Sequence, residues 1–127
     1  MKKNMKIRKD GSKPKILIYH THSQEAFADS REGQIEDTIV GVGDHLTELL
    51  EKTYGYQVIH ITDAFDMMGG TLDRSKAYDY ARASIEKVLE ENPTIEVVID
   101  LHRDGVPDER HLVTQVNGKP TAQLLFY

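Results

Sequence analysis

The chain has no cysteine among its 127 residues, which excludes disulfide bonds and thiolate metal ligands. Any metal that it binds must therefore be held by histidines and carboxylates. No stretch approaches the roughly 18 consecutive apolar residues that a membrane helix requires, and no apolar stretch follows the N-terminal lysines as an export signal would. A glycine-rich loop is missing after the first predicted strand, which disfavours a nucleotide site there.

Basic charge is scarce outside the N-terminus. The chain has 16 Lys and Arg against 21 Asp and Glu, and residues 1–15 hold seven of the basic residues but only one of the acidic ones. The acidic remainder has no basic stripe with interleaved aromatic residues, so we expect no nucleic-acid binding. The composition predicts a basic linker or tail at residues 1–14 and one α/β domain at residues 15–127.

Strand-like and helical patterns alternate along the domain, which predicts an open, mostly parallel sheet flanked by helices. The run Ile16 to Ile18 is typical of a strand buried on both faces, and further strands are predicted at 56–62 and 95–101. Segment 63–72 is predicted to be a loop, and Asn117-Gly118 predicts a hairpin between 111–116 and 120–127. The two intervening helices are expected to bury apolar stripes: Ile39, Val42, Leu46, Leu49 and Leu50 in the first, and Ala77, Tyr80, Ala81, Ser84, Ile85, Val88 and Leu89 in the second.

Titratable side chains follow the first and third strands at the point where each strand ends. His20 and His22 come after the first strand, and His102 comes after the third. The carboxyl ends of parallel strands meet at one edge of a sheet, where open α/β folds place their ligand sites. We therefore expect histidines from both strands to lie close together.

His22 and Glu25 have the spacing His-x-x-Glu, which lets an imidazole and a carboxylate from one turn reach one cation. With His102 they would form a set of two histidines and one carboxylate, which in many hydrolases binds a catalytic zinc ion and a water molecule. Only one of His20 and His22 is expected to point at this site. We favour His22 as the ligand, with His20 as the alternate.

Other polar residues near these positions have less specific interpretations. Asp100 and Asp104 are expected to orient the imidazole of His102, and Arg103 to meet an anionic substrate. A histidine at a strand end is often only a hydrogen-bonded structural residue, and His-x-x-Glu also arises by chance. Three other histidines are interpreted as structural or surface residues: His45, His60 and His111.

Three separated blocks of the sequence resemble the stage II sporulation protein P family. They are Ile-Leu-Ile-Tyr-His-Thr-His-Ser-Gln-Glu-Ala-Phe at 16–27, Val-Gly-Asp-His-Leu at 42–46 and Val-Val-Ile-Asp-Leu-His-Arg-Asp-Gly at 97–105. The resemblance implies an amidase/phosphorylase-like fold and a zinc-dependent N-acetylmuramoyl-L-alanine amidase that acts on peptidoglycan during engulfment in sporulation. It also implies a membrane-anchored location outside the cytoplasm, with stage II sporulation proteins D and M as partners.

The same resemblance implies that the block at 20–25 supplies one histidine, His22 or alternatively His20, and Glu25 as zinc ligands, and that His102 supplies the other histidine. Amidases of this general fold often place the ligating carboxylate at the start of the first helix, which makes Glu36 the alternate. They also use a general-base glutamate near the C-terminal end of the domain, and no glutamate here matches it. Because the chain ends in the apolar run 122–127, we expect the domain to continue and to carry that glutamate there, and we expect little or no turnover without it.

Two other functions are compatible with the sequence. One is a degenerate amidase domain that binds peptidoglycan without cleaving it. The other is a metal-free cytosolic α/β domain in which His20, His22 and His102 are structural.

Overall fold

A parallel sheet of three strands organises the chain. The computed structural model describes residues 6–9, 11–107, 109–110 and 112–127. The strands lie in the order β2-β1-β3, with bounds Pro14–Tyr19 for β1, Gln57–His60 for β2 and Val97–Asp100 for β3. Ile18 of the central strand is level with His60 on one side and Ile99 on the other, so the three carboxyl ends lie together. The predicted open α/β sheet is confirmed.

Two α-helices connect the strands. They are α1 (Ile39–Glu48), which continues into a π-helical turn (Leu49–Thr53), and α2 (Arg74–Glu91). The first connection runs from the central strand β1 out to β2, and the second runs back from β2 past β1 to β3. Because the two connections cross the sheet in opposite directions, right-handed crossovers place their helices on opposite faces. Within the described residues, no helix is long and apolar enough to cross a membrane.

Both helices begin at a capping side chain. The Thr38 hydroxyl accepts a hydrogen bond from the backbone N–H of Val40, and the Asp73 carboxylate accepts one from Ser75. These acceptors satisfy backbone donors that the first turn of a helix leaves without partners. The backbone after the π-helical turn reverses at Gly55, whose φ of 72° suits glycine.

The core on the α2 side was largely predicted from the helical spacing. Leu17 packs there with a buried cluster completed by Ile61, Phe65, Ala77, Ala81 and Ile85. Tyr80 was expected in this face but is 37% exposed. Ala77 and Ala81 lie at the centre of the contact between α2 and the sheet, and Tyr80 lies at its edge.

The predicted buried stripe of α1 is wrong at two positions, since Val42 and Leu49 are exposed. The helix buries Ile39 as predicted, together with Val40 and Gly43. A Cβ atom at Gly43 would lie only 2.6 Å from His60 Nε2 and 2.7 Å from His20 Nε2. The glycine therefore lets the helix approach these two rings, and this orientation turns Val42 outward.

The C-terminal hairpin forms a separate two-stranded sheet. Its strands are β4 (Val113–Val116) and β5 (Lys119–Ala122), joined at Asn117 and Gly118, whose φ angles are 54° and 75°. Positive φ at both turn positions is the geometry that Asn-Gly predicts. The predicted hairpin is confirmed with shorter strands, and His111 lies outside the described residues.

The segment predicted as a loop at 63–72 contributes to the core. It contains a short 3₁₀ helix, Phe65–Met67, in which Phe65 and Asp66 are almost completely buried. The loop is therefore anchored beside the carboxyl edge of the sheet.

Candidate functional site

The end of β1 is tied to the end of β3 through Thr21. Its backbone N–H donates to Asp100 Oδ1 at 3.0 Å, and its hydroxyl donates to Oδ2 of the same carboxylate. The chain leaves the strand after Tyr19 and enters a turn at Thr21. This turn sends His20 and His22 to different places, although residues two apart on a continuous strand would share a face.

His102 lies between two carboxylates. Its Nε2 is 2.9 Å from Asp100 Oδ2 and its Nδ1 is 3.6 Å from Glu25 Oε2. The hydrogen bond to Asp100 raises the pKa of His102 above its ordinary value, with a further contribution from the charge of Glu25. Burial tends to raise the pKa of Asp100, but hydrogen bonds from His102 and Thr21 outweigh it and lower that pKa.

Glu25 is held from two directions. Its Oε2 accepts a hydrogen bond from the backbone N–H of Arg103 at 2.6 Å, and its own carbonyl accepts one from Ile39 at the start of α1 at 2.9 Å. Its side chain is 11% exposed. The carboxylate therefore lies at the junction of the loop after β1, the first helix and the segment after β3.

His22 contributes the most unusual atom of the site. Its ring lies against His102, with 5.2 Å between ring centroids, and against Tyr78 of α2, with 5.3 Å between centroids. Its Nδ1 is buried and has no hydrogen-bond partner among the described residues. Since buried polar atoms are nearly always paired, this nitrogen is exceptional among the described residues.

His20 belongs to a second cluster on the α1 side of the sheet. Its Nδ1 is 2.9 Å from the carbonyl oxygen of Leu101, and its Nε2 is 2.8 Å from Nε2 of His60. His60 Nδ1 is in turn 3.0 Å from Asp44 Oδ1. Burial lowers the pKa of His20, which favours its neutral form. A carbonyl only accepts, so neutral His20 donates from Nδ1 and turns an unprotonated Nε2 toward Nε2 of His60.

The other predicted site residues have different surroundings. Glu36 is exposed and pairs with Arg31, with 3.6 Å between their charged groups. Asp104 accepts a hydrogen bond from the Tyr127 hydroxyl at 3.4 Å and does not bond His102. Arg103 brings its backbone N–H to Glu25.

Three residues near the site were not predicted from the sequence: Thr21, Asp66 and Tyr78. Thr21 lies between the two histidines, and its position just after β1 is the only signal that it would reach the end of β3. Tyr78 is adjacent to buried Ala77 on a largely exposed helical turn, so helical spacing assigns it to the surface. Asp66 lies in a segment whose polarity indicates only a loop.

The donor chemistry of His22, Glu25 and His102 fits zinc. Ligand atoms bound at about 2.0–2.2 Å to one zinc ion are separated by up to about 4 Å, and His102 Nδ1 and Glu25 Oε2 lie 3.6 Å apart. His22 adds a buried nitrogen that lacks a partner in the described structure. The three side chains do not yet converge on one point, because no group of three His, Asp or Glu side chains in the described ranges is arranged to hold a metal ion.

Comparisons with known proteins give one consistent result. The sequence model of the stage II sporulation protein P family matches residues 1–127. Stage II sporulation protein P of Bacillus subtilis (strain 168) is 25% identical over 125 residues, which cover 91% of this chain and 31% of that relative. The chain thus spans about a third of the length of this curated relative. No solved structure matches it. The chain belongs to the stage II sporulation protein P family.

Proposed function

We propose that this domain is a zinc-dependent peptidoglycan hydrolase that acts in sporulation and cleaves the amide between N-acetylmuramic acid and L-alanine. Family membership supports the role in sporulation. The observation that carries the metal-dependent part is the buried Nδ1 of His22, which has no partner in the described structure and lies beside His102.

His22, Glu25 and His102 would hold the zinc ion. When bound, zinc lowers the pKa of a water ligand toward about 7 and polarises the carbonyl group to be cleaved. With zinc bound, Asp100 would hold the proton of His102 on Nε2, and Nδ1, which lies on the side of Glu25, would bind the metal. Such a carboxylate behind a ligating imidazole fixes its tautomer and orientation.

Glu25 is the carboxylate that we assign to the metal, in preference to Glu36. Of these two glutamates, Glu25 is the one that lies 3.6 Å from a ring nitrogen of His102. The Arg103 N–H restrains its Oε2 and fixes the direction of the carboxylate. We assign no general base within the described residues.

The substrate would reach this edge over α2. A depression beside His22 is lined by Tyr19, Thr21, Tyr78, Ala81, Arg82, Ile85 and Glu86. Its aromatic and aliphatic side chains suit the apolar parts of a stem peptide, and the exposed Arg103 would meet one of the acidic groups of that peptide.

Family membership also supports a proposal for the cellular location and the partners of this domain. We propose that the domain works at the cell envelope outside the cytoplasm, held there by a membrane anchor elsewhere in the longer protein. Stage II sporulation proteins D and M would be its partners.

Incubation of the zinc-loaded protein with purified peptidoglycan tests this function. We expect this chain to release at most small amounts of stem peptide with a free L-alanine N-terminus, as detected by mass spectrometry, because no described residue is assigned as the general base. We expect His102→Ala to abolish that release. His45→Ala is the matched control, because His45 lies on α1 away from the proposed ligands.

Two outcomes would contradict the proposal. Release that persists in His102→Ala would exclude the zinc mechanism. The second outcome is that the protein sediments with peptidoglycan but releases no stem peptide, and that a longer chain of the same protein releases none either. This would indicate a degenerate domain that binds the cell wall.

A further inference from the structure

Asp66 is a buried carboxylate that has no role in the mechanism above. It lies in the short 3₁₀ helix Phe65–Met67 and is 1% exposed. Its Oδ1 accepts a hydrogen bond from the Ser23 hydroxyl at 2.9 Å, and its Oδ2 accepts one from the backbone N–H of Gln24 at 3.3 Å. The carboxylate thus reaches across 42 residues of sequence to bind two adjacent residues.

These two residues are the ones that separate the proposed ligands His22 and Glu25. Ser23 is completely buried, and its hydroxyl oxygen also accepts a hydrogen bond from the side-chain amide of Gln24 at 3.1 Å. A shift of this dipeptide would move both ligands relative to His102. The hydrogen bonds of Asp66 therefore restrain the spacing of the metal site.

Asp66 also connects the dipeptide to α2. Its backbone carbonyl accepts a hydrogen bond from Asp73 at 2.8 Å, and Asp73 caps the helix. The first turns of that helix carry Tyr78, whose ring lies against His22. Asp66 thus contacts both the segment that follows His22 and the segment that leads into the helix packed against the His22 ring.

Burial restricts how Asp66 can be satisfied. A buried polar group is costly unless hydrogen bonds compensate, and both carboxyl oxygens of Asp66 bond the dipeptide of Ser23 and Gln24. The carboxyl group and the dipeptide therefore hold each other in place.

We propose that Asp66 is a positioning residue that holds His22 and Glu25 in the geometry needed to bind a divalent metal ion, an inference that rests on the proposed function. It acts through Ser23 and Gln24 and does not contact the metal. Its loss should therefore weaken and distort the metal site beyond any loss of stability.

The test compares the variants Asp66→Ala and Asp66→Asn with the wild-type protein. Zinc affinity is measured by competition with a chelator, coordination geometry by the visible spectrum of the cobalt-loaded protein, and stability by thermal unfolding without metal. Asp73→Asn is the matched control, since it alters a carboxylate of the same loop that caps α2 and bonds neither Ser23 nor Gln24.

We expect Asp66→Ala to weaken zinc binding by about 10–100-fold, as for other residues that orient metal ligands, and to change the cobalt spectrum. Asp66→Asn keeps one oxygen acceptor and should recover part of both properties. Asp73→Asn should lower only the unfolding temperature. If Asp66→Ala does not fold, Asp66→Asn and Ser23→Ala provide the same comparison.

The outcomes separate this inference from the proposed function. Unchanged zinc affinity and cobalt spectrum in folded Asp66 variants would overturn the positioning role alone. Failure of the wild-type protein to bind zinc would overturn the metal site, and the inference with it.

Discussion

Two pairs of histidines at the carboxyl edge of the sheet have nearly the same ring geometry. The centroids of His22 and His102 are 5.2 Å apart with an interplanar angle of 63°, and those of His20 and His60 are 5.1 Å apart with an angle of 75°. Their hydrogen bonding differs. Both nitrogens of His20 and of His60 have partners, whereas His22 Nδ1 has none within the described residues.

The difference shows that proximity of imidazoles does not by itself indicate a metal site. In the pair of His20 and His60, polar atoms of the protein satisfy the rings, so the pair joins α1 to the sheet. In the pair of His22 and His102, one nitrogen is orphaned and a carboxylate of Glu25 lies nearby. The unsatisfied nitrogen of His22, and not the distance between rings, is therefore the reason for proposing the metal site at this pair.

The largest expected effect distinguishes the two candidate carboxylates. Glu25→Gln should weaken zinc binding by more than the roughly 10–100-fold typical for residues that only orient a ligand. Glu36→Gln, which alters an exposed partner of Arg31, should leave zinc affinity unchanged. Isothermal titration of both variants measures this, and equal losses in the two variants would contradict the assignment of Glu25.

A substitution at Gly43 should disrupt only the satisfied pair. The new Cβ would lie 2.6 Å from His60 Nε2, an overpacking that costs about 1–3 kcal/mol. Because alanine favours a helix by up to about 1 kcal/mol, which offsets part of this cost, we expect Gly43→Ala to lower the free energy of unfolding by about 1 kcal/mol. Gly69→Ala is the control, since no described atom lies within 4 Å of the position that its new methyl group would take.

Chemical denaturation of the two glycine variants checks this prediction. Zinc binding should persist in Gly43→Ala, because the ligands lie outside the contact. An unchanged free energy of unfolding would show that the two rings move aside easily.

A smaller effect is expected from the pH dependence of the pair formed by His102 and Asp100. The pKa of His102 is raised above 6.5, so its contribution to stability is complete below pH 6.5 and is lost as the pH rises through the raised pKa. The pKa of Asp100 is lowered below 3.8, so its contribution is complete above pH 3.8 and is lost as the pH falls through the lowered pKa. Both contributions are therefore present between these two values.

The variant Asp100→Asn tests this window in metal-free protein. The loss of unfolding free energy relative to wild type should be largest between pH 3.8 and 6.5 and should shrink above that range by at most about 1 kcal/mol, because the pair is partly exposed. Denaturation at a series of pH values measures it. A constant difference from the acidic range to alkaline pH would show that Asp100 acts only through Thr21.

The main elements of the fold were predictable because their signals are local. The apolar run at Ile16 to Ile18, the helical spacing of Ala77, Ala81 and Ile85 and the Asn-Gly turn each specify their own conformation. The orientation of α1 was not predictable in this way, because it depends on the contact of Gly43 with two histidines from different strands.

The site was predictable only as far as strand ends determine it. His22, Glu25 and His102 follow from two strand ends and one short spacing, and their use as zinc ligands stays a prediction. The separation of His20 from His22 depends on a turn at Thr21 that a carboxylate of β3 stabilises. Asp66 lies 42 residues from Gln24, and no local pattern signals such a contact.

Zinc content is the most direct test of the distinction between the two histidine pairs. Elemental analysis would compare the wild-type protein with His22→Ala and His60→Ala after dialysis against trace zinc, with circular dichroism to confirm folding. We predict about one zinc ion per chain in the wild type and in His60→Ala, and none in His22→Ala. Zinc retained in His22→Ala, or absent from the wild type, would contradict the assignment of this site.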